Sequence, residues 1–319
     1  MARRTVALSL ACAGMVLIAA CAVALALVRS RESSDLVAHS ASESKAALAS
    51  GVRQLFVQAA GRRREYYLYA GPGNGVAHRY PLVLVYSGVD DTAINTAYET
   101  GLLAAAQRAR HVIVAFLQGY DNSWNDDAGN PPAEAAKVND VAFTEAVLRQ
   151  VESRYDVDMS RVLATGFSNG AVLVQLLGCR AAAYLTAILP VEGQLSPTFA
   201  GSCRPAKPLT VYEVHATKDQ TIPYSGGTFQ GAGGPVSVLS APASARRWAI
   251  LDGCELTPDS WHDHVSGGSL IARYKGCRDG VTVTLQSIEG GSHEWPPGLS
   301  TIVSGVISAS PADRKAVRP

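Results

Sequence analysis

Charge, paired cysteine motifs and repetition are scarce or missing in this chain of 319 residues, and each shortage excludes a class of protein. Only 17% of residues are charged and the formal net charge is +1, so with no basic patch interleaved with aromatics nothing points to nucleic acid. The six cysteines include no Cys-x-x-Cys, which deprives a zinc site of its usual frame. His262 and His264 form a His-x-His pair without a third ligand at suitable spacing, so they read as a solvated strand or loop and no metal is expected. Gly226-Gly227 and Gly231-Ala232-Gly233-Gly234 lack the strand and helix that a phosphate cradle needs in order, so a mobile loop is expected there. No internal repeat occurs.

The chain does carry apolar content. A hydrophobic fraction of 47% is that of a globular protein, and 319 residues is a common size for one α/β unit. From Thr5 to Val28 there is no charge, behind a basic start at Arg3-Arg4. This run exceeds a typical signal-peptide core and is long enough to cross a bilayer of ~30 Å. Three outcomes follow: a retained membrane anchor, a lipoprotein in which Cys21 of the lipobox-like Ile18-Ala19-Ala20-Cys21 is lipidated, or a signal cleaved near Ala22-Val23-Ala24. All three place the rest of the chain outside the cytoplasm. Residues 1–29 are thus expected to be a signal peptide or anchor, residues 30–51 a serine- and alanine-rich tether, and residues 52–319 one folded domain. Beyond Cys12 and Cys21 there remain Cys179, Cys203, Cys254 and Cys277, an even number in a compartment that permits oxidation. Four cysteines admit three pairings, and spacing alone does not choose.

Along the domain, strand-like runs fall at residues 55–58, 65–69, 82–86, 112–116, 162–165, 187–191, 211–215, 270–274 and 281–288. Helical stretches fall between them, at residues 96–110, 140–155, 171–180 and 243–251. Strands alternating with helices imply an α/β fold with a mainly parallel central sheet covered on both faces. Asn139-Asp140 before an apolar helix reads as an N-terminal cap.

The most informative segment is Val162-Leu163-Ala164-Thr165-Gly166-Phe167-Ser168-Asn169-Gly170-Ala171, an apolar run that breaks into Gly-x-Ser-x-Gly and continues as a helix-forming stretch. This is the layout of a nucleophile elbow, in which glycine is needed because the serine backbone is strained and strand and helix press close. A serine hydroxyl needs a base, and the base needs an orienting acid. The segment from Leu209 to Tyr224 is a buried-strand pattern ending in a polar turn, and Asp219 sits at the strand's carboxyl end, where α/β sheets place functional loops. His293 follows the alternating run from Val281 to Ile288 on a glycine-rich loop, Glu289-Gly290-Gly291-Ser292-His293. Other histidines are less well set: His39 and His78 precede the elbow, His111 opens a strand, and His215 lies inside one. Trp124 and Trp295 are each either an aromatic wall of a substrate pocket or a plug in the core.

Several blocks in order resemble the esterases grouped as polyhydroxybutyrate depolymerases and feruloyl or acetylxylan esterases, including actinobacterial esterase lipoproteins. The resemblance runs from about Arg64 to Pro297. It is carried by Pro81 to Gly88, Ser123-Trp124-Asn125, Val138 to Phe143, Asp158 to Val162, the Ser168 elbow, Lys218-Asp219 with Ile222-Pro223-Tyr224, and His293-Glu294-Trp295-Pro296. It implies an α/β-hydrolase fold, with Ser168 as nucleophile, Asp219 as orienting acid and His293 as general base. It implies oxyanion donors at the Val89 and Asn169 amides, and disulfides Cys179–Cys203 and Cys254–Cys277. The chain departs from the family where Ser87-Gly88 stands in place of the usual His-Gly, and where Asp126-Asp127-Ala128-Gly129-Asn130 replaces a cysteine pair.

The reading is an extracytoplasmic serine esterase with no metal or organic cofactor, acting on a small-molecule or saccharide-linked ester. Its rivals are a catalytically idle hydrolase-fold binding protein at the cell surface and a serine peptidase.

Overall fold

Short β-branched and aliphatic runs fall between helices and build a ten-stranded sheet in the order β1-β2-β4-β3-β5-β6-β7-β12-β11-β10. Its strands are β1 (Arg53–Ala59), β2 (Arg62–Ala70), β3 (Tyr80–Tyr86), β4 (Ile113–Leu117), β5 (Val157–Phe167), β6 (Ala187–Val191), β7 (Thr210–Ala216), β10 (Asp259–Asp263), β11 (Ser269–Tyr274) and β12 (Val283–Ile288). A computed structural model supplies this description, which covers residues 51–72, 79–129, 132–231, 233–263 and 268–308. The apolar run from Thr5 to Val28, Cys21, residues 30–50 of the tether, His39, His78, Asn130 and His264 lie outside the described residues. Among those described, no helix is long and apolar enough to cross a membrane.

The middle of the sheet is parallel. Tyr80–Tyr86 pairs with both Ile113–Leu117 and Val157–Phe167, and Val157–Phe167 pairs onward with Ala187–Val191. Every residue of β3, β4 and β6 is buried, which is why these segments read as continuous apolar runs and not as alternating ones. Antiparallel pairs finish both sides, β1 on β2 and β10 on β11.

The helix expected over residues 96–110 is two helices, Ala93–Glu99 and Leu102–Ala109. Gly101 separates them in a left-handed conformation at φ 64°, where a glycine carries no side-chain penalty. The glycine-rich stretch expected to be a loop is a two-stranded antiparallel ribbon, β8 (Gly227–Gly231) on β9 (Gly234–Val238), held by pairing that its composition does not announce. His262 belongs to the edge strand β10, opposite Leu270. Asn139 caps the Asp140–Glu152 helix by accepting from the Ala142 amide at 2.9 Å. Asp140 instead turns inward to Arg64 at 2.8 Å and to the Asn125 amide at 2.8 Å, fixing the loop that follows β4.

Both disulfides join the pairs that the resemblance implies, Cys179–Cys203 and Cys254–Cys277. A cavity of about 670 Å³ lies between the Leu102–Ala109 and Leu299–Ser308 helices and contains none of the expected site residues.

Candidate active site

Ser168 stands between β5 and the Asn169–Arg180 helix with φ 55° and ψ −120°, a strained geometry for a residue with a side chain. Its neighbours show why the flanking positions are glycine. A β-carbon on Gly166 would come within 2.5 Å of the Gly170 carbonyl oxygen, and one on Gly170 within 2.3 Å of the Ser87 carbonyl oxygen. A third glycine belongs to the same junction: a β-carbon on Gly193 would approach the Ser168 carbonyl oxygen to 2.8 Å. The turn is pinned by the Ser168 amide donating to the Val191 carbonyl at 3.0 Å.

Asp219 lies in the turn after β7 and His293 in the loop after β12, and the fold brings them together across 74 residues. His293 Nδ1 is 2.7 Å from Asp219 Oδ2. The other carboxylate oxygen accepts the amides of Thr221 at 2.7 Å and Ile222 at 2.9 Å. Burial opposes the charge of Asp219, yet the His215 and His293 imidazoles and the Ile222 amide outweigh it and hold the carboxyl well below the usual carboxylate range. Among the described residues no hydrogen bond joins the Ser168 hydroxyl to His293. The two are linked by Phe167, whose ring packs on the imidazole at 4.6 Å.

Beside His293 opens a cavity of about 280 Å³ lined by Val89, Asp91, Glu99, Phe167 and Trp295 among others. The rings of Phe167 and Trp295 stack at 5.2 Å with 29° between planes, and Trp295 Nε1 donates to Glu99 at 2.9 Å. Burial and the neighbouring Asp91 raise the Glu99 carboxyl above its ordinary value.

The amides of Val89 and Asn169 both stand at this junction and donate to no group among the described residues. The loop carrying Val89 is held without the histidine usual in the resembling family: Ser87 Oγ donates to the Asp91 carbonyl at 3.3 Å. The Asp91 carboxylate accepts from the Thr92 amide, Asn95 Nδ2 and Thr96 Oγ1. Where a cysteine pair was replaced, Asp126 accepts from Asn169 Nδ2 at 2.8 Å, so that loop is tied to the elbow by a hydrogen bond.

The two tryptophans part company. Trp124 is fully buried, packs edge-on against Tyr86 at 5.2 Å and donates from Nε1 to the Ser87 carbonyl. It offers no surface to a substrate, so of the two alternatives, pocket wall or core plug, Trp124 is the plug. Trp295 is half-buried and lines the cavity.

Two residues escaped the sequence reading. Glu192 follows β6 directly and is completely buried, and His215, set aside as a strand residue, lies 3.4 Å from Asp219. An acid closing an apolar run, as in Leu189-Pro190-Val191-Glu192-Gly193, is the signal that could have found Glu192.

No family model matches the chain. It is 29% identical over 217 residues to feruloyl esterase B of Piromyces equi, covering 67% of this chain and 39% of that one. It is 26% identical over 262 residues to feruloyl esterase C of Emericella nidulans, covering 80% and 83%. The chain thus spans less than half the length of the first relative and most of the second. Among solved structures, an acetyl xylan esterase from Aspergillus awamori superposes with a TM-score of 0.61 at 11% identity, over 81% of this chain and 99% of that one. That likeness fixes the α/β-hydrolase fold.

Proposed function

We propose that this chain, a relative of the feruloyl and acetylxylan esterases, is an extracytoplasmic serine hydrolase of carboxylic esters whose reaction is carried by Ser168, His293 and Asp219. The observation that carries the reading is the 2.7 Å contact of His293 with a charged Asp219, in a loop that also abuts the strained Ser168 elbow.

Ser168 Oγ attacks the ester carbonyl carbon as its proton passes to His293 Nε2, while Nδ1–H stays on Asp219 and keeps the imidazole in the useful tautomer. The oxyanion so formed is received by the Val89 and Asn169 amides, the second of them at a helix N-terminus where the backbone dipole favours negative charge. Collapse expels the alcohol with the proton from His293, and water repeats the sequence on the acyl-enzyme. No step calls for a metal or an organic cofactor.

The stacked Phe167 and Trp295 beside a cavity of about 280 Å³ suit an aromatic or a small acyl or alcohol group. Both relatives above are feruloyl esterases, which supports an aromatic acid, on a saccharide or a small alcohol. The two disulfides fit an oxidising compartment, and residues 1–29 supply export, as anchor, lipoprotein signal or cleaved peptide, with 30–51 as tether and 52–319 as the catalytic domain. Initial rates of the purified protein on p-nitrophenyl acetate, methyl ferulate and a polyhydroxybutyrate film test this. Soluble esters should be turned over faster than the film. No turnover of any ester would favour an idle binding protein, and cleavage of peptides alone would favour a peptidase.

A further inference from the structure

We propose that His215 and Glu192 are positioning residues that clamp Asp219, so that its Oδ2 faces His293 in one orientation. The inference rests on the reading of Ser168, His293 and Asp219 as the reacting group.

His215 is the penultimate residue of β7 and is 2% exposed. Its Nε2 is 2.9 Å from the Ile222 carbonyl oxygen, which can only accept, so Nε2 carries a proton. That N–H also faces Glu192 Oε2 at 3.3 Å and Asp219 Oδ2 at 3.4 Å. Both Glu192 oxygens lie within 3.0 Å of the Ala216 amide, which sits between His215 and the turn that carries the acid. Tyr224 closes the far side, its ring edge-on to His215 at 5.8 Å and its hydroxyl 2.7 Å from Ser287 Oγ.

Glu192, His215 and Asp219 have the composition of a metal site, and their ligand atoms lie within 4.8 Å of one another. The Nε2 proton excludes that use, because the nitrogen within reach of both carboxylates is a donor and has no lone pair to give. What the arrangement does instead is restrain. Each Asp219 oxygen has two partners, and the rotation that would swing Oδ2 away from His293 would break the approach to His215. Burial pushes the Glu192 carboxyl up to about 9, with the Ala216 amide opposing and the charges of Asp219 and Glu294 adding to the rise. At neutral pH Glu192 is therefore uncharged and leaves the single negative charge on Asp219, facing His293 and His215. The backbone at Glu192 is left-handed, φ 53°, a conformation that a glutamate keeps only where its surroundings hold it.

The test compares His215→Phe, which keeps ring bulk without the donor, with His215→Gln, which keeps an N–H at similar reach, and Glu192→Ala with Glu192→Gln. His215→Phe and Glu192→Ala should lower kcat for a soluble ester about 10- to 100-fold, as loss of an outer-shell orienting partner does, with KM changed less than about twofold. The Gln variants should recover most of that loss. The low-field proton resonance of His293 Nδ1–H should broaden in His215→Phe and sharpen again in His215→Gln, a readout that needs no turnover. If His215→Phe does not fold, His215→Asn, whose shorter amide falls short of Oδ2, replaces it. Unchanged kcat and resonance in a folded His215→Phe or Asn protein would overturn the clamp, as would His215→Gln losing as much as His215→Phe. Resonances that behave as expected in a protein that turns over no ester would overturn the esterase reading and leave the clamp standing.

Discussion

At the scale of single residues, the proposed chemistry depends on how completely Asp219 is held. One oxygen takes two backbone amides and the other faces two imidazoles, so the carboxylate keeps its charge although it is buried. Ser168→Ala, His293→Ala and Asp219→Ala should each leave a folded protein, with kcat on p-nitrophenyl acetate lowered by about four to six orders of magnitude for the serine and histidine and somewhat less for the acid. Near-normal initial rates from purified Ser168→Ala would refute the mechanism. Trp295 makes a different contribution, because its ring is stacked on Phe167 and fixed by Glu99 at the cavity wall. Trp295→Ala should raise KM for methyl ferulate about tenfold, a loss of roughly 1.4 kcal/mol of aromatic contact, while p-nitrophenyl acetate changes by less than about threefold. Equal changes for both esters would show that Trp295 supports the loop and not the substrate.

At the scale of elements, the elbow works because strand, turn and helix are nearer to one another than side chains allow. Gly170→Ala would force its β-carbon onto the Ser87 and Tyr86 carbonyl oxygens, both rigid backbone atoms. We expect it to cost about 2–4 kcal/mol in urea unfolding and to depress kcat as well, since Ser87 adjoins the Gly88-Val89 loop. An Ala variant as stable as the parent would mean that β3 and the elbow helix can move apart. The Cys179–Cys203 link ties the end of the elbow helix to the segment before β7, closing a loop of 24 residues. Replacing both cysteines by serine should lower unfolding stability by about 3 kcal/mol without changing KM, as measured by chemical denaturation and steady-state kinetics.

For the whole molecule, three buried acids set the response to pH. Burial pushes Glu213 up to about 8 and Asp252 up to about 7, beside Glu192 at about 9. Glu213 accepts from Gln175 and Ser244 on one oxygen, and among the described residues the second oxygens of Glu213 and Asp252 have no hydrogen-bond partner. The folded state therefore keeps protons that an unfolded chain would release near pH 4. Their contribution is fully present below that pH and is lost as pH rises through 7 to 9. Asp219 has the opposite sign, its depressed carboxyl adding stability above the ordinary carboxylate range that is lost only in strong acid. Melting temperature should thus fall from pH 5 to pH 9, and Glu213→Gln should flatten that fall. A parent whose melting temperature rises over this interval would contradict the assignment of buried neutral acids.

The sequence alone determined the local geometry. Gly166-Phe167-Ser168-Asn169-Gly170 between an apolar run and a helix former dictates a tight strand–turn–helix, and the strand pattern before Asp219 and His293 places each at a strand end, because backbone period and turn chemistry are properties of neighbouring residues. The break at Gly101 and the pairing of the Gly227–Gly231 ribbon were less legible, since one glycine in a helical stretch and a run of glycines without side chains carry little periodic signal. Tertiary structure decided the rest. Whether Trp124 or Trp295 faces the cavity, which histidine stands behind Asp219, and that Glu192 from another strand end completes the cluster all depend on sheet order and burial. Those are set by contacts between segments far apart in the chain, such as the 74 residues from Asp219 to His293, and no local pattern encodes them.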